Sequence, residues 1–212
     1  MRKTVKVLAW VAAVLAVIIT ALRLTIMSWW TVPTDDPVLA ASLAPNLAAG
    51  DFILLYNAAP SYGDLVRCSD PEAPGRFIVG RVLAEAGDTI ELTSTNVTVN
   101  GKTSVVDMPC GITKVPVEHP QSGATEDLFC QFEALQGHKH MRVTRNASTV
   151  TNEGKRQVSE GNIFLVSDNR AFPMDSRTYG AIPRASCKEQ VFFRVFGKKG
   201  LGDPVTRFVY IR

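Results

Sequence analysis

None of the four cysteines belongs to a Cys-x-x-Cys unit, no stretch carries five consecutive lysines or arginines, and histidine occurs only three times in 212 residues. The first absence removes the paired-thiolate frame of a structural zinc, so no metal is expected. The second, with a net charge of only +3, leaves no basic footprint for nucleic acid. No internal repeat or low-complexity tract is visible, which excludes a solenoid and a compositionally disordered chain. Hydrophobic residues at 46% suffice for the core of one moderate domain.

Charge is also missing from one long segment near the start. Met1-Arg-Lys-Thr-Val-Lys6 is basic; Val7 to Leu22 then runs without a charge, and after Arg23 the apolar character resumes through Ile26 and Met27 to Trp29 and Trp30. At about 1.5 Å per residue, Val7 to Trp30 is long enough to cross a hydrocarbon layer of roughly 30 Å. Arg23 is close enough to the far end to reach outward. The expected layout is a cytoplasmic stretch over 1–6, a transmembrane anchor over 7–30 with Trp29 and Trp30 at the far interface, and an extracytoplasmic domain over 31–212. A cleaved secretory signal is the alternative, but the apolar stretch exceeds the usual h-region of about 7–15 residues. The membrane is then a partner, and the location is the inner (cytoplasmic) membrane, crossed once.

Cys68, Cys110, Cys130 and Cys187 all follow that span, in a compartment that permits disulfides. Four cysteines allow three pairings. Cys110 and Cys130 bracket a Pro-, Gly- and polar-rich segment, which favours their bridge and leaves Cys68 with Cys187. Short apolar runs bounded by turn residues recur beyond the anchor: 52–56, 77–79 with 82–83, 89–92, 97–99, 141–144, 163–166 and 191–196. Asn100-Gly101 reads as a hairpin turn, since both residues tolerate positive φ. The fold class is mainly β, interrupted by a polar insertion over about 104–131.

Few residues carry candidate chemistry. Ser42 lies among alanines, with Pro33 and Pro37 before it and Pro45 and Gly50 after, so an extended or turning chain is expected to present its hydroxyl. A serine becomes a nucleophile only beside a base. Asp168, Arg170, Asp175 and Arg177 put two acids and two bases close together. An arginine two residues beyond each acid makes ion pairing a simpler reading than a carboxylate pair or a metal site. No cofactor is indicated.

Ser42, Pro45, Leu47, Gly50 and Asp51 followed by Phe52-Ile-Leu-Leu, together with Ser167-Asp-Asn-Arg170, Asp175-Ser-Arg177, Gly180 and Ile182-Pro-Arg184, resemble the motifs of bacterial type I signal peptidases, peptidase family S26. Phe77-Ile-Val-Gly-Arg-Val-Leu-Ala-Glu-Ala-Gly-Asp88 is similar to a further family segment, and Glu133-Ala-Leu-Gln-Gly-His-Lys-His140 to a weaker one. The likeness runs over roughly Pro33 to Phe196. It implies a signal-peptidase-type β domain, no metal, Ser42 at the nucleophile position, and Asp168, Arg170, Asp175 and Arg177 as braces of the site floor.

The same resemblance puts Gly80 where the family carries its general-base lysine, Ala40 where many members have an oxyanion-binding serine, and Pro173 where a serine holds the lysine. Lys102, Lys114, His138, Lys139 and His140 are the candidates for a substitute base, and His119 sits in the insertion as a solvated residue. Two functions stand open. One is a membrane-anchored serine endopeptidase that removes signal peptides from exported preproteins. The other is an inactive relative that binds signal peptides, or an active signal peptidase or the secretion machinery.

Overall fold

The computed structural model of the chain describes residues 2–145 and 151–211, without the side chains of residues 2–3 and 23–25. Met1 and the side chains of Arg2, Lys3 and Arg23, which enter the expected orientation, lie outside the described residues. Helix α1 covers Arg2–Thr25, and its stretch Thr4–Leu22 is long and apolar enough to cross a membrane. The helix stops short of the tryptophans expected to close the span. Met27–Thr31, containing Trp29 and Trp30, is instead strand β1, where bulky aromatics fit the pleat.

The rest is mainly β, as the resemblance implied. In chain order the further strands are β2 (Phe52–Asn57), β3 (Leu65–Ser69), β4 (Phe77–Glu85), β5 (Thr89–Thr93), β6 (Val97–Val99) and β7 (Lys102–Thr103). Then come β8 (Val105–Glu118), β9 (Thr125–Leu135), β10 (His138–Thr144), β11 (Asn152–Gln157), β12 (Asn162–Val166), β13 (Ile182–Pro183), β14 (Cys187–Phe196) and β15 (Val209–Tyr210). The main sheet has the order β1-β2-β14-β3-β4-β12-β13, with β15 also on β14. Two smaller sheets, β10-β9-β8 and β11-β5-β6-β7, complete the domain. All strand pairs within these sheets are antiparallel.

Each apolar run read from the sequence is a strand, and Asn100 and Gly101 turn the β6–β7 hairpin with φ of 50° and 78°. The expected polar insertion is not loose chain. It is the long hairpin β8–β9, whose outer strand exposes Val105, Met108 and Ile112. Cys110–Cys130 staples this hairpin, and Cys68–Cys187 joins the paired strands β3 and β14, so both favoured pairings are present.

Two buried clusters position the site. Ile53, Leu55, Leu65, Val79 and Val191 from the main sheet pack with Leu39 and Leu43. Ala41 and Ala44 pack on the other side with Cys110, Cys130, Val143 and Phe172. The segment around Ser42 is therefore clamped between the main sheet and the stapled hairpin.

Candidate active site

Ser42 was expected on extended or turning chain, but it ends a short helix, α2 (Pro37–Ser42). The same residues that suggested a turn start this helix. Asp36 caps it by accepting from Leu39 N at 2.9 Å, and Pro37 takes the first position, where its missing N–H costs nothing. The chain then loops to Gly50, whose φ of 84° suits glycine. Asp51 closes the loop: its Oδ2 accepts from Ala48 N at 2.9 Å and from Arg194 Nη1 at 3.0 Å.

Ser42 is 0% exposed, and its hydroxyl donates to Leu39 O at 2.7 Å. Asn169 holds the surrounding backbone. Its side-chain amide donates to Ala41 O at 2.7 Å and its N–H to Ser42 O at 3.2 Å, while its Oδ1 accepts from Ala171 N and Phe172 N. Asn169 was not singled out from the sequence as a site residue, although it lies inside the Ser-Asp-Asn-Arg string.

Of the four residues expected to brace the site, Asp168, Arg170 and Asp175 are buried and Arg177 is half-buried, but only one of the two expected pairs forms. Arg177 grips Asp175 through Nε and Nη2, with Nη2 at 2.8 Å from Oδ2, and reaches Glu153 with Nη1 at 3.0 Å. Asp175 also accepts from Ser167 N at 2.7 Å, which ties the strand end of β12 to the helix α3 (Ser176–Tyr179). Asp168, in contrast, does not pair with Arg170. Its partner is Arg81 on β4, by two hydrogen bonds of 2.8 Å, and Asn46 donates to it at 2.6 Å. Arg170 pairs with Glu133 on β9. Residues two apart with a bend at Ser167–Arg170 diverge, and the carboxylate meets a guanidinium from the neighbouring strand instead.

Glu133, Arg142 and His140 complete this floor and were not singled out as bracing residues. Glu133 lies between Arg170 and Arg142, with His140 Nε2 at 3.2 Å. Burial alone would raise the Glu133 and Asp168 carboxyls. Arg170, His140 and Arg142 together outweigh it at Glu133, and Arg81, His140 and Asn46 together at Asp168, so both are held below the ordinary range. His140 is pushed down by burial and by Arg81, so it is neutral at pH 7. Arg142 drops to about 10 through burial.

Gly80 lies on β4 between Ile78 and Val82, whose shared face packs with Leu165, Cys68 and Cys187. A Cβ at position 80 would stand 3.0 Å from Leu165 Cβ, tighter than ordinary packing. None of the substitute bases is drawn to Ser42. His140 faces Glu133 and Asp168, Lys139 pairs with Asp107 at 2.7 Å, His138 packs edge-on against Tyr62, Lys114 lies over Phe129, and Lys102 is exposed. His119, expected to be solvated, packs edge-on against Phe172 and accepts from the N–H groups of Gln121 and Ser122.

Beside Gly80, β12 pairs with β4 only from Arg81 onward, so among the described residues Phe77–Gly80 leave one edge without a strand neighbour. A groove of about 400 Å³ runs along it, lined by Val38, Ile78, Pro173, Met174 and Tyr179 among others. Ala40 lines a separate groove of about 340 Å³ against β8. Among the described residues, no group of three or more His, Cys, Asp or Glu side chains is placed to hold a metal ion.

Residues 7–196 match the family described as signal peptidase, peptidase S26. The chain belongs to this family. A Signal peptidase I from Aquifex aeolicus (strain VF5) is 25% identical over 190 residues, covering 76% of this chain and 74% of the relative. Membership in the signal peptidase family implies association with a membrane and signal peptides as the bound substrate class. The match covers α1 from Val7 onward and ends at Phe196, so the segment 197–211 with β15 lies beyond it.

Proposed function

We propose that this chain is a membrane-anchored, extracytoplasmic member of the signal peptidase family that binds signal peptides of exported preproteins without hydrolysing them. Helix α1 is the anchor, with residues 1–6 cytoplasmic and the domain from 31 to 212 outside the inner membrane. The signal peptide adds in extended form to the open edge of β4 at Phe77–Gly80, with its side chains in the adjoining groove.

The observation that carries the inactive reading is the surroundings of Ser42. Its hydroxyl is spent on the Leu39 carbonyl, and among the described residues no titratable side chain shares its hydrogen bond. Gly80, in the position of the family's lysine, has no side chain and faces Leu165. Loss of a dyad base leaves a serine hydroxyl without the proton acceptor that makes it nucleophilic. Ala40 and Pro173 have no hydroxyl to offer in its place.

A second reading, serine endopeptidase, is favoured by one feature: Asn169 still fixes the main chain at two successive carbonyls, Ala41 O and Ser42 O. Such bracing suits a nucleophile that must hold its position. One experiment separates the two. The purified full chain in detergent and its Ser42→Ala variant are each given a preprotein with an Ala-x-Ala site, and binding and cleavage are followed together. The expected result is equal binding and no cleavage by either. Cleavage that vanishes in Ser42→Ala establishes the endopeptidase.

A further inference from the structure

Apart from the groove beside Phe77–Gly80, a cleft of about 510 Å³ opens between the main sheet and β10. Gly63, Asp64 and Leu65 form one wall, Arg81, His138, Lys139 and His140 another, and Gln190–Phe192 with Tyr210 and Ile211 close it. His140 is the unusual member. It is 3% exposed, yet neither of its ring nitrogens completes a hydrogen bond, even though Glu133 Oε2 is 3.2 Å from Nε2. Buried polar atoms without partners are rare in folded proteins, and an imidazole on a cavity wall is suited to contact what enters the cavity.

The charge around the cleft has one prevailing sign. Behind His140, Glu133 and Asp168 are paired with Arg170 and Arg81; in the wall itself Arg81 and Lys139 are cationic, His138 and His140 present ring nitrogens, and the carboxylate is that of Asp64. That carboxylate is engaged: its Oδ2 accepts from Ser61 N at 2.8 Å. Lys139 and His138 are exposed at the mouth, and the ion pair of Lys139 is with Asp107, itself about half exposed, so exchange with a stronger anion is inexpensive.

We infer that this cleft is a binding site for a phosphate-type oxyanion, free or as a lipid headgroup, held by His140 at the floor and by His138 and Lys139 at the mouth. An oxyanion there gains charge-assisted hydrogen bonds and gives His140 the partner it lacks. The floor is also the back of the candidate active site, because Arg81 and His140 both face Asp168, which holds Asn46 in the loop after Ser42. The inference does not depend on whether Ser42 cuts peptides.

The test is calorimetric titration of the full chain in uncharged detergent micelles with inorganic phosphate, repeated for His138→Ala, Lys139→Ala and His140→Ala. One saturable site is expected, weakened roughly tenfold by each mouth variant and lost in His140→Ala. The two mouth residues are exposed, so their variants keep the test valid if His140→Ala does not fold. Heat without saturation, meaning adventitious ion binding only, overturns the inference, as does affinity unchanged in both mouth variants. A second arm distinguishes the sources. Reconstitution into phosphatidylglycerol vesicles suppresses phosphate binding, relative to phosphatidylcholine vesicles, if the occupant is a headgroup; equal binding in both assigns the site to free phosphate.

Discussion

Arg81 and Asp168 meet as a two-pronged fork: Nε donates to Oδ1 and Nη2 to Oδ2, each at 2.8 Å, with side chains 2% and 1% exposed. The third guanidinium nitrogen, Nη1, donates to Gly63 O at 2.7 Å. One arginine thus joins β4 to the turn before β3 and to the loop that carries Asn169. Every change at Arg81 is felt at the carboxylate that also holds Asn46.

Arg81→Met therefore leaves Asp168 buried without a cation. The expected loss is about 3–5 kcal/mol of folding stability, whereas exposed pairs such as Lys139–Asp107 are worth about 0–1 kcal/mol. Denaturant unfolding in micelles measures both. The double variant Arg81→Met with Asp168→Leu should recover much of the loss, because it removes the orphaned charge together with its partner. A loss below about 1 kcal/mol for Arg81→Met contradicts the role given to the fork.

Acid should weaken the fold in two stages. His140 is held below its ordinary 6.5 by burial and by Arg81, against Glu133 and Asp168, which face it from β9 and the end of β12. The unfolded chain then binds a proton near pH 6.5 that the folded chain refuses, so stability falls as pH drops below 6.5. Glu133, Asp168 and Asp175 sit below their ordinary 4.5, 3.8 and 3.8. Their contribution is complete above those values and is lost as pH falls beneath them. Thermal unfolding against pH should show both stages, and His140→Gln should flatten the upper one only. A slope between about pH 6.5 and 5 that is unchanged in that variant assigns the upper stage to another group.

Local signals carried the strands far better than the pairings. Runs such as Ile163–Val166 and Val191–Phe196 are continuous apolar segments between turns, and they are strands because each is buried by sheet neighbours. Strands β8, β9 and β11 interleave polar residues with apolar ones, and β8 and β11 also carry proline or glycine, so no continuous apolar run marks them. The site shows the same division. Asp175 with Arg177 was legible because both lie on one tight turn. Asp168 with Arg81 and Arg170 with Glu133 are contacts across 87 and 37 residues, fixed by strand order rather than by spacing. The helix at Ser42 was hidden because Pro37 signals a break when its role as a helix's first residue is overlooked.

Removing the two disulfides one at a time should cost unequal amounts. Cys68–Cys187 spans 119 residues and Cys110–Cys130 spans 20. In the chain-entropy picture the longer closure is worth roughly 4–5 kcal/mol and the shorter about 3 kcal/mol. Paired Cys→Ala substitutions, read by thermal unfolding, give the comparison. The shorter bridge has the more local effect, since it backs Ala41 and Ala44 beside Ser42. Its loss should speed protease cutting near Lys114, and the loss of the longer bridge should not.

Gly80→Lys is the sharpest test of the proposal that Ser42 is idle for want of a base. The backbone at 80 is not in the left-handed region, so a side chain meets no backbone strain; the obstacle is Leu165 Cβ at 3.0 Å. A shift of a few tenths of an ångström in β12 relieves that contact, at an overpacking cost of about 1–3 kcal/mol. The variant is expected to fold with a lowered melting temperature and to gain slow, Ser42-dependent preprotein cleavage. The rate should rise with pH, because only the neutral amine accepts the serine proton. It should stay far below that of a complete site, since a missing oxyanion donor costs about 10²–10³ in rate and Ala40 offers none. Gly80→Arg is the control: it fills the same space but cannot deprotonate, so it should be silent at every pH. A folded Gly80→Lys chain that never cleaves means that a side chain at 80 does not reach the hydroxyl, and the proposed idleness of Ser42 then rests on its bond to Leu39 O.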